Sequence, residues 1–112
     1  MKLNPTLLGP KKLRGILNEQ LGYERAIVTD EAFEHDLKYP DALKLIRNLN
    51  EKAKLAEVEF GLKLTNTLEV QNHRPVFPEN ETMMYLSGRA LHPISINLAA
   101  QLQQDFMGKL DI

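Results

Sequence analysis

Two short stretches of the sequence place a lysine in an apolar run just before a group of small polar residues. Residues 2–7 are Lys-Leu-Asn-Pro-Thr-Leu, and residues 63–68 are Lys-Leu-Thr-Asn-Thr-Leu. Short apolar runs are typical of strands buried on both faces, where an unpaired charge is costly. The stretches therefore predict either strand ends that open onto a pocket, with the lysines available to a ligand, or edge strands whose lysines extend into solvent.

The elements around the first lysine alternate between strand and helix patterns. Residues 2–8 are the first predicted strand, and Gly9-Pro10 starts a helix with an apolar stripe that ends at Gly22. Residues 25–29 predict a short second strand, and Pro40 starts a second helix. The stripe of the first helix is Leu13, Ile16, Leu17 and Leu21, and that of the second is Ala42, Leu45, Ile46, Leu49 and Ala53.

The pattern continues to the end of the chain. Residues 58–64 predict a third strand, and residues 69–89 a long strand-to-helix loop in which 83–86 form a short strand or a lid. Pro93 starts a helix that ends at Gly108, with Ile94, Leu98, Leu102 and Phe106 as its apolar stripe. Residues 109–112 resemble the start of a fourth strand. The order β-α-β-α-β-α-β predicts an α/β fold: a parallel sheet of about four strands with crossover helices, as in a partial (β/α)₈ TIM barrel.

The spacing of the two lysines predicts their relation in that sheet. Lys2 and Lys63 are 61 positions apart, which fits two β–α units of about 30 residues each. We therefore expect next-but-one strands whose lysines point towards a common centre. Because strand-like sequence lies at both ends, residues 1–112 are expected to be a single α/β segment excised from a larger protein.

Composition excludes several classes of partner and site. The 112 residues are 43% hydrophobic with a net charge of -1, and no basic cluster is interleaved with aromatic residues, so we expect no nucleic-acid partner. No cysteine is present, which excludes disulfides and cysteine-ligated iron–sulfur or zinc sites within this chain. No apolar run approaches roughly 18 residues, so no membrane association is expected, and we predict a cytoplasmic location.

An acidic stretch is the other candidate for chemistry. Residues 30–36 contain Asp30, Glu31, Glu34, His35 and Asp36, ligand types that suit several divalent ions. A solvated loop, or a short helix with acids in its first turn, explains the same residues. No fixed ligand spacing is visible, so we favour the solvated interpretation and predict no metal site.

Three motifs, in this order, resemble one family. They are Lys2-Leu3-Asn4-Pro5-Thr6-Leu7-Leu8-Gly9, Phe60-Gly61-Leu62-Lys63-Leu64-Thr65-Asn66-Thr67-Leu68 and Ser87-Gly88-Arg89-Ala90-Leu91-His92-Pro93. The chain resembles the central barrel of the selenate reductase flavoprotein subunit family. That family is itself similar to dihydropyrimidine dehydrogenase and dihydroorotate dehydrogenase. The resemblance covers essentially the whole chain.

The resemblance implies a multidomain parent oxidoreductase in which this segment belongs to an FMN-binding barrel. Electrons would pass from NADPH through FAD and Fe–S clusters, all outside this segment, to FMN. By motif match Lys2 is the candidate flavin contact, with Thr65, Ser87 and Gly88 also assigned to the cofactor. Asn66 and Thr67 are assigned to the substrate. No residue of this chain is assigned as the catalytic base.

The resemblance also has limits. The turn Tyr85-Leu86-Ser87-Gly88 is less rich in glycine than in the dihydroorotate enzymes, and their catalytic base and phosphate-binding turn match nothing here. We therefore expect the isolated chain to bind no FMN and to be inactive. Its expected partners are the rest of the barrel, the electron-transfer domains and an unknown small-molecule substrate. Exposed sheet edges are expected to promote self-association.

Two alternatives follow from the residues alone. The chain could be a free-standing α/β binding or structural module, in which the lysines only protect strand edges. It could also bind anions at the helix entrances marked by Pro10, Pro40 and Pro93. Nothing in these residues argues for selenium chemistry.

Overall fold

In the structure, a computed structural model that describes residues 1–74 and 76–112, a first short strand is followed by three helices, then by three short strands and a last helix. The strands are β1 (Lys2–Leu3), β2 (Lys63–Leu64), β3 (Leu68–Gln71) and β4 (Met83–Leu86). The helices are α1 (Pro10–Arg14), continued by a π-helical segment (Gly15–Gln20), α2 (Asp30–His35), α3 (Tyr39–Leu55) and α4 (Leu91–Asp105). Two 3₁₀ turns, Pro5–Leu8 and Gly88–Ala90, precede α1 and α4.

The two lysine stretches are direct neighbours. Strands β1 and β2 pair in parallel, with Lys2 opposite Lys63 and Leu3 opposite Leu64. The prediction of next-but-one strands was therefore wrong. The strand expected between them, residues 25–29, is not a strand in the structure.

The placement of residues 25–29 has a physical cause. The Arg14 guanidinium donates from Nε (3.2 Å) and Nη2 (2.6 Å) to the carbonyl oxygen of Val28, occupying an acceptor that a central strand would offer to its neighbour. The Ile27 carbonyl oxygen accepts from the backbone N–H of Gln71 in β3 at 2.9 Å. Residues 25–29 therefore run beside β3 and leave β1 free to pair with β2.

The parallel sheet is smaller than predicted. Its described part consists of β1 and β2 alone, instead of about four strands. Both strands are shorter than the expected ranges of 2–8 and 58–64, because Pro5–Leu8 forms a 3₁₀ turn and β2 contains only Lys63–Leu64. Residues 109–112 form no strand, but the Asp111 carbonyl oxygen accepts from the Leu62 N–H at 2.8 Å. The Lys63 N–H, one residue later, bonds to the Met1 carbonyl oxygen at 2.7 Å. Residues 109–112 thus lie on one side of residues 62–63, and β1 lies on the other side.

The predicted long loop contains a hairpin. Strands β3 and β4 pair antiparallel within residues 68–86, with Leu68 opposite Leu86 and Gln71 opposite Met83. Of the two interpretations of residues 83–86, the short strand is confirmed. Asn72 closes the connection by donating from Nδ2 to the backbone oxygens of Phe77 and Glu81. Pro75, within the predicted loop, lies outside the described residues.

Helix periodicity predicted the core well. Three residues of the stripe of α4 are confirmed, since Ile94, Leu98 and Leu102 are each 0% exposed and pack with Leu3 of β1 in one core cluster. The fourth, Phe106, directly follows the helix and is partly buried. The first helix buries its stripe as far as Leu17, whereas Leu21 is exposed. In α3 the stripe residues Ala42, Ile46 and Ala53 are buried and Leu49 is half-buried, whereas Leu45 is exposed. Each fully buried aliphatic side chain contributes roughly 1.5–3 kcal/mol, so this layer of helices holds β1 in place.

No helix in residues 1–74 and 76–112 is both long enough and apolar enough to cross a bilayer.

Candidate functional site

A polar cleft lies beyond the carboxyl ends of the two parallel strands. Asn4 directly follows β1 and Asn66 lies two residues after β2, and the Asn66 N–H donates to the Leu3 carbonyl oxygen at 2.8 Å. This bond keeps the two strand ends together above a cleft of about 390 Å³. The cleft is lined by Asn4, Pro5, Thr6, Glu31, Ala32, His35, Asp36, Asn66, Thr67, Leu68, Glu69 and Tyr85.

A chain of side-chain hydrogen bonds forms one wall of the cleft. Asp36, directly after α2, accepts from Asn4 Nδ2 at 2.9 Å through Oδ1 and from Thr6 Oγ1 through Oδ2. Asn66 Nδ2 in turn donates to Asn4 Oδ1 at 2.6 Å. Thr6 is only 8% exposed. The contacts join residues 32 and 62 positions apart, so this wall exists only in the folded chain.

The charge of the cleft is one-sided. Among the described residues that line it are the carboxylates of Glu31, Asp36 and Glu69, but no lysine or arginine. Tyr85 Oη lies 3.4 Å from Glu69 Oε2 at the hairpin side of the cleft. The site therefore offers hydrogen-bond acceptors and negative charge more than it offers cations.

Both residues assigned to the substrate lie in this cleft. Asn66 and Thr67 line it beside Asn4 and Thr6, so the two Asn/Thr groups that follow the lysine strands are brought together. The structure places these residues side by side, and their assignment to a substrate stays a prediction.

The residues assigned to the cofactor lie elsewhere. Lys2 is exposed while Leu3 is buried, and because side chains alternate along a strand, Lys2 points to the face opposite the helices. Lys63, its paired neighbour, is also exposed. Within the described chain neither lysine forms a salt bridge.

The other three cofactor candidates lie near α4. Thr65 Oγ1 is 2.9 Å from Ser95 Oγ on that helix, so the Thr65 hydroxyl already has a partner. Ser87 and Gly88 are exposed at the 3₁₀ turn that leads into α4, and Gly88 has a φ of +67° that favours glycine. None of the described lining residues of the cleft belongs to this group.

Sequence reasoning missed three residues of the wall: Asn4, Thr6 and Asp36. Asn4 and Thr6 belong to the first of the three family motifs. The similarity of Asn4-Pro5-Thr6 to Thr65-Asn66-Thr67, which was assigned a role, could have identified them. Asp36 was assigned to a solvated acidic stretch. The structure instead makes it half-buried and gives its carboxylate two donors. In the part of the chain that the structure describes, no three histidine or acidic side chains are grouped to hold a metal ion.

A parallel strand pair with a polar cleft beyond its carboxyl ends is the arrangement expected of a segment of a (β/α)₈ barrel. Comparison with known proteins makes this specific: the model of the family "Oxidoreductase YgfK, N-terminal TIM-barrel domain" matches residues 1–112. The chain belongs to this family.

Two curated relatives agree with the assignment. The proteins named "Putative oxidoreductase YgfK" from Escherichia coli strain K12 and from Escherichia coli O157:H7 are each 47% identical to the chain over 112 residues. The match covers 100% of the chain and 11% of each relative, so the chain spans about a tenth of their length. No solved structure matches it. The predicted barrel segment of an oxidoreductase is thus confirmed, whereas neither the family's name nor those of the relatives mentions selenate or a flavin.

Proposed function

We propose that this chain forms the substrate side of a flavin-dependent oxidoreductase barrel, in which NADPH electrons pass through FAD and Fe–S clusters to FMN. The observation that carries the proposal is the polar cleft at the carboxyl ends of β1 and β2. In (β/α)₈ barrels the active site lies at the carboxyl ends of the strands, built from the loops that follow them. Membership of a TIM-barrel oxidoreductase family supports the same position.

Asn66 and Thr67 are the proposed substrate contacts. Both line the cleft, and Asn66 is held by a side-chain bond to Asn4 and a backbone bond to Leu3. A side chain fixed in this way orients a ligand at little entropic cost, because it loses little further freedom on binding. We assign these residues to orientation of the substrate and assign no proton transfer to them.

Lys2 is the proposed flavin contact. It is exposed on the helix-free face of the parallel pair, and no carboxylate in the described chain pairs with it. An ammonium group there fits the polar edge of an isoalloxazine ring, where it would stabilise the negative charge of the reduced form. Bound FMN would supply the hydride and single-electron chemistry.

The chain fits only part of a flavin site. Thr65 is engaged with Ser95, while Ser87 and Gly88 lie at the entrance of α4, so we propose at most peripheral flavin contacts for these three. The chain contains no cysteine, so ligands for Fe–S clusters would come from other domains. We therefore propose that the segment alone is inactive and acts together with the rest of a longer protein.

The test is a flavin titration with paired lysine variants. In a full-length protein that contains this segment, Lys2→Ala should lower FMN affinity and the rate of flavin reduction by about tenfold, equivalent to ~1.4 kcal/mol. Lys63→Ala is the matched control, because it removes the same charge from the paired position of the neighbouring strand. Equal effects of the two substitutions would reduce Lys2 to a general electrostatic role.

A second measurement tests the cofactor itself. A full-length protein purified without flavin that shows no absorbance change on titration with FMN would refute the flavin assignment. A binding module without redox chemistry would then be the better interpretation of the cleft.

A further inference from the structure

We infer that Asp36 fixes the direction of the Asn4–Asn66 hydrogen bonds, so that the cleft selects ligands that donate N–H hydrogen bonds and excludes oxyanions. The inference deepens the proposed function, since it gives a ligand class to the cleft that we assign to the substrate. It names Asp36 as a positioning residue, which acts on the ligand through two asparagines.

The direction of the network follows from the charge of Asp36. An ionised carboxylate only accepts hydrogen bonds, so Asn4 must present its NH₂ group to it. The Asn4 oxygen is then turned to Asn66, which must offer its own NH₂ group in return. One carboxylate therefore determines the orientation of both amides, although O and N of an amide are otherwise interchangeable in shape.

Asn66 then presents an acceptor. With its nitrogen turned to Asn4, the opposite end of the amide is Oδ1, which accepts no hydrogen bond from the described part of the chain. Asn66 lines the cleft, so a ligand with an N–H group finds an oriented partner there.

The surrounding charge favours the same class of ligand. The carboxylates of Glu31 and Glu69 line the cleft with Asp36. Among the described lining residues the only basic side chain is that of His35, so the carboxylates outnumber it three to one. An oxyanion would meet like charges and a carbonyl-type oxygen, whereas an amide, amidinium or guanidinium group would meet complementary ones. Selenate itself belongs to the excluded class.

Substitution of Asp36 should relax this selectivity. In Asp36→Asn the new amide can donate to Asn4 Oδ1, so the side-chain amide of Asn4 can rotate by about 180°. The amide of Asn66 can then rotate as well and present its NH₂ group to the ligand. The matched control is Glu34→Gln on α2, the helix that Asp36 directly follows, because Glu34 is exposed, lies outside the cleft lining and loses the same charge. Comparison of the two variants separates the effect of hydrogen-bond direction from the effect of net charge.

The test uses two planar probes of nearly the same shape, acetamidinium and acetate, titrated into the ¹⁵N-labelled chain without flavin. Acetamidinium should shift the side-chain NH₂ signals of Asn4 and Asn66 and the backbone signal of Thr67, and should bind more than about tenfold tighter than acetate. Asp36→Asn should bring the two dissociation constants to within about threefold of each other, while Glu34→Gln keeps the wild-type ratio.

Several results would overturn the inference. They are acetate binding as tightly as acetamidinium to the wild-type chain, neither probe shifting the cleft signals, or the same change of ratio in both variants. Because the wild-type comparison needs no substitution, it stands even if Asp36→Asn fails to fold. The probes contain no flavin, so a failure here leaves the Lys2 titration informative, and a failure of that titration leaves this one informative.

Discussion

Replacement of Arg14 by methionine tests the contact that keeps residues 25–29 out of the parallel sheet. Arg14 donates twice to the Val28 carbonyl oxygen, contacts Asp30 Oδ1 at 2.6 Å and lies 5.2 Å from the centroid of the Phe33 ring. Methionine keeps the aliphatic stem in a similar volume but removes the guanidinium. The substitution therefore removes the polar contacts while leaving most of the packing.

The contacts of Arg14 determine the expected loss in the free energy of unfolding. Hydrogen bonds from a charged donor contribute about 1.5–3 kcal/mol, and an exposed ion pair contributes about 0–1 kcal/mol. The Asp30 side chain is 78% exposed, which places its pair with Arg14 at the low end. A cation–π contact at a partly exposed site contributes about 0.5–1 kcal/mol. Since one side chain makes all of these contacts, they are not additive, and we expect Arg14→Met to lower the free energy of unfolding by about 2–3 kcal/mol.

Urea unfolding followed by far-UV circular dichroism measures this change. Asp30→Asn is the matched control: it removes the ion pair, leaves the Val28 bonds, and should cost less than about 1 kcal/mol. Hydrogen exchange of the Gln71 amide, which bonds to Ile27, should accelerate in Arg14→Met and stay slow in the control. Equal losses of stability in the two variants would refute the reasoning, because the Val28 carbonyl bonds would then contribute nothing.

Two further predictions concern the helices. Leu98→Ala should lower the free energy of unfolding by about 3–4 kcal/mol in the same urea assay, since Leu98 is 0% exposed and its loss leaves a cavity; a loss below about 1 kcal/mol would mean that the core collapses around the site. Burial, together with the 2.7 Å hydrogen bond to Asp105, raises the pKa of Tyr39 above its usual value. The folded pKa thus exceeds the unfolded value of about 10, so this contribution to stability is present below about pH 10 and is lost as the pH rises further. Tyr39→Phe should therefore flatten the fall in thermal midpoint between about pH 9 and 11, and an unchanged slope would contradict this role.

The sequence alone determined the features that depend on near neighbours. Apolar spacing over one or two turns predicted the buried stripe of α4, because residues three and four positions apart share a helix face whatever the rest of the chain does. Motif order likewise predicted a segment of an oxidoreductase barrel, which membership of the family confirms. Asn66 and Thr67 were singled out by the resemblance, because Thr65-Asn66-Thr67 lies within one of the three motifs that carry it.

Only the tertiary structure decided which strands pair and which side chains meet. Residues 25–29 have a strand-like sequence, but Arg14 and Gln71 take the carbonyl groups of Val28 and Ile27. A strand forms only where another segment pairs with it. The sequence of residues 25–29 alone therefore cannot show whether a pairing segment lies beside it. For the same reason the sequence did not predict the contact of Asp36 with Asn4, which lies 32 positions away. A solvated acidic residue and a carboxylate that orients two asparagines are identical in sequence and differ only in what the fold brings next to them.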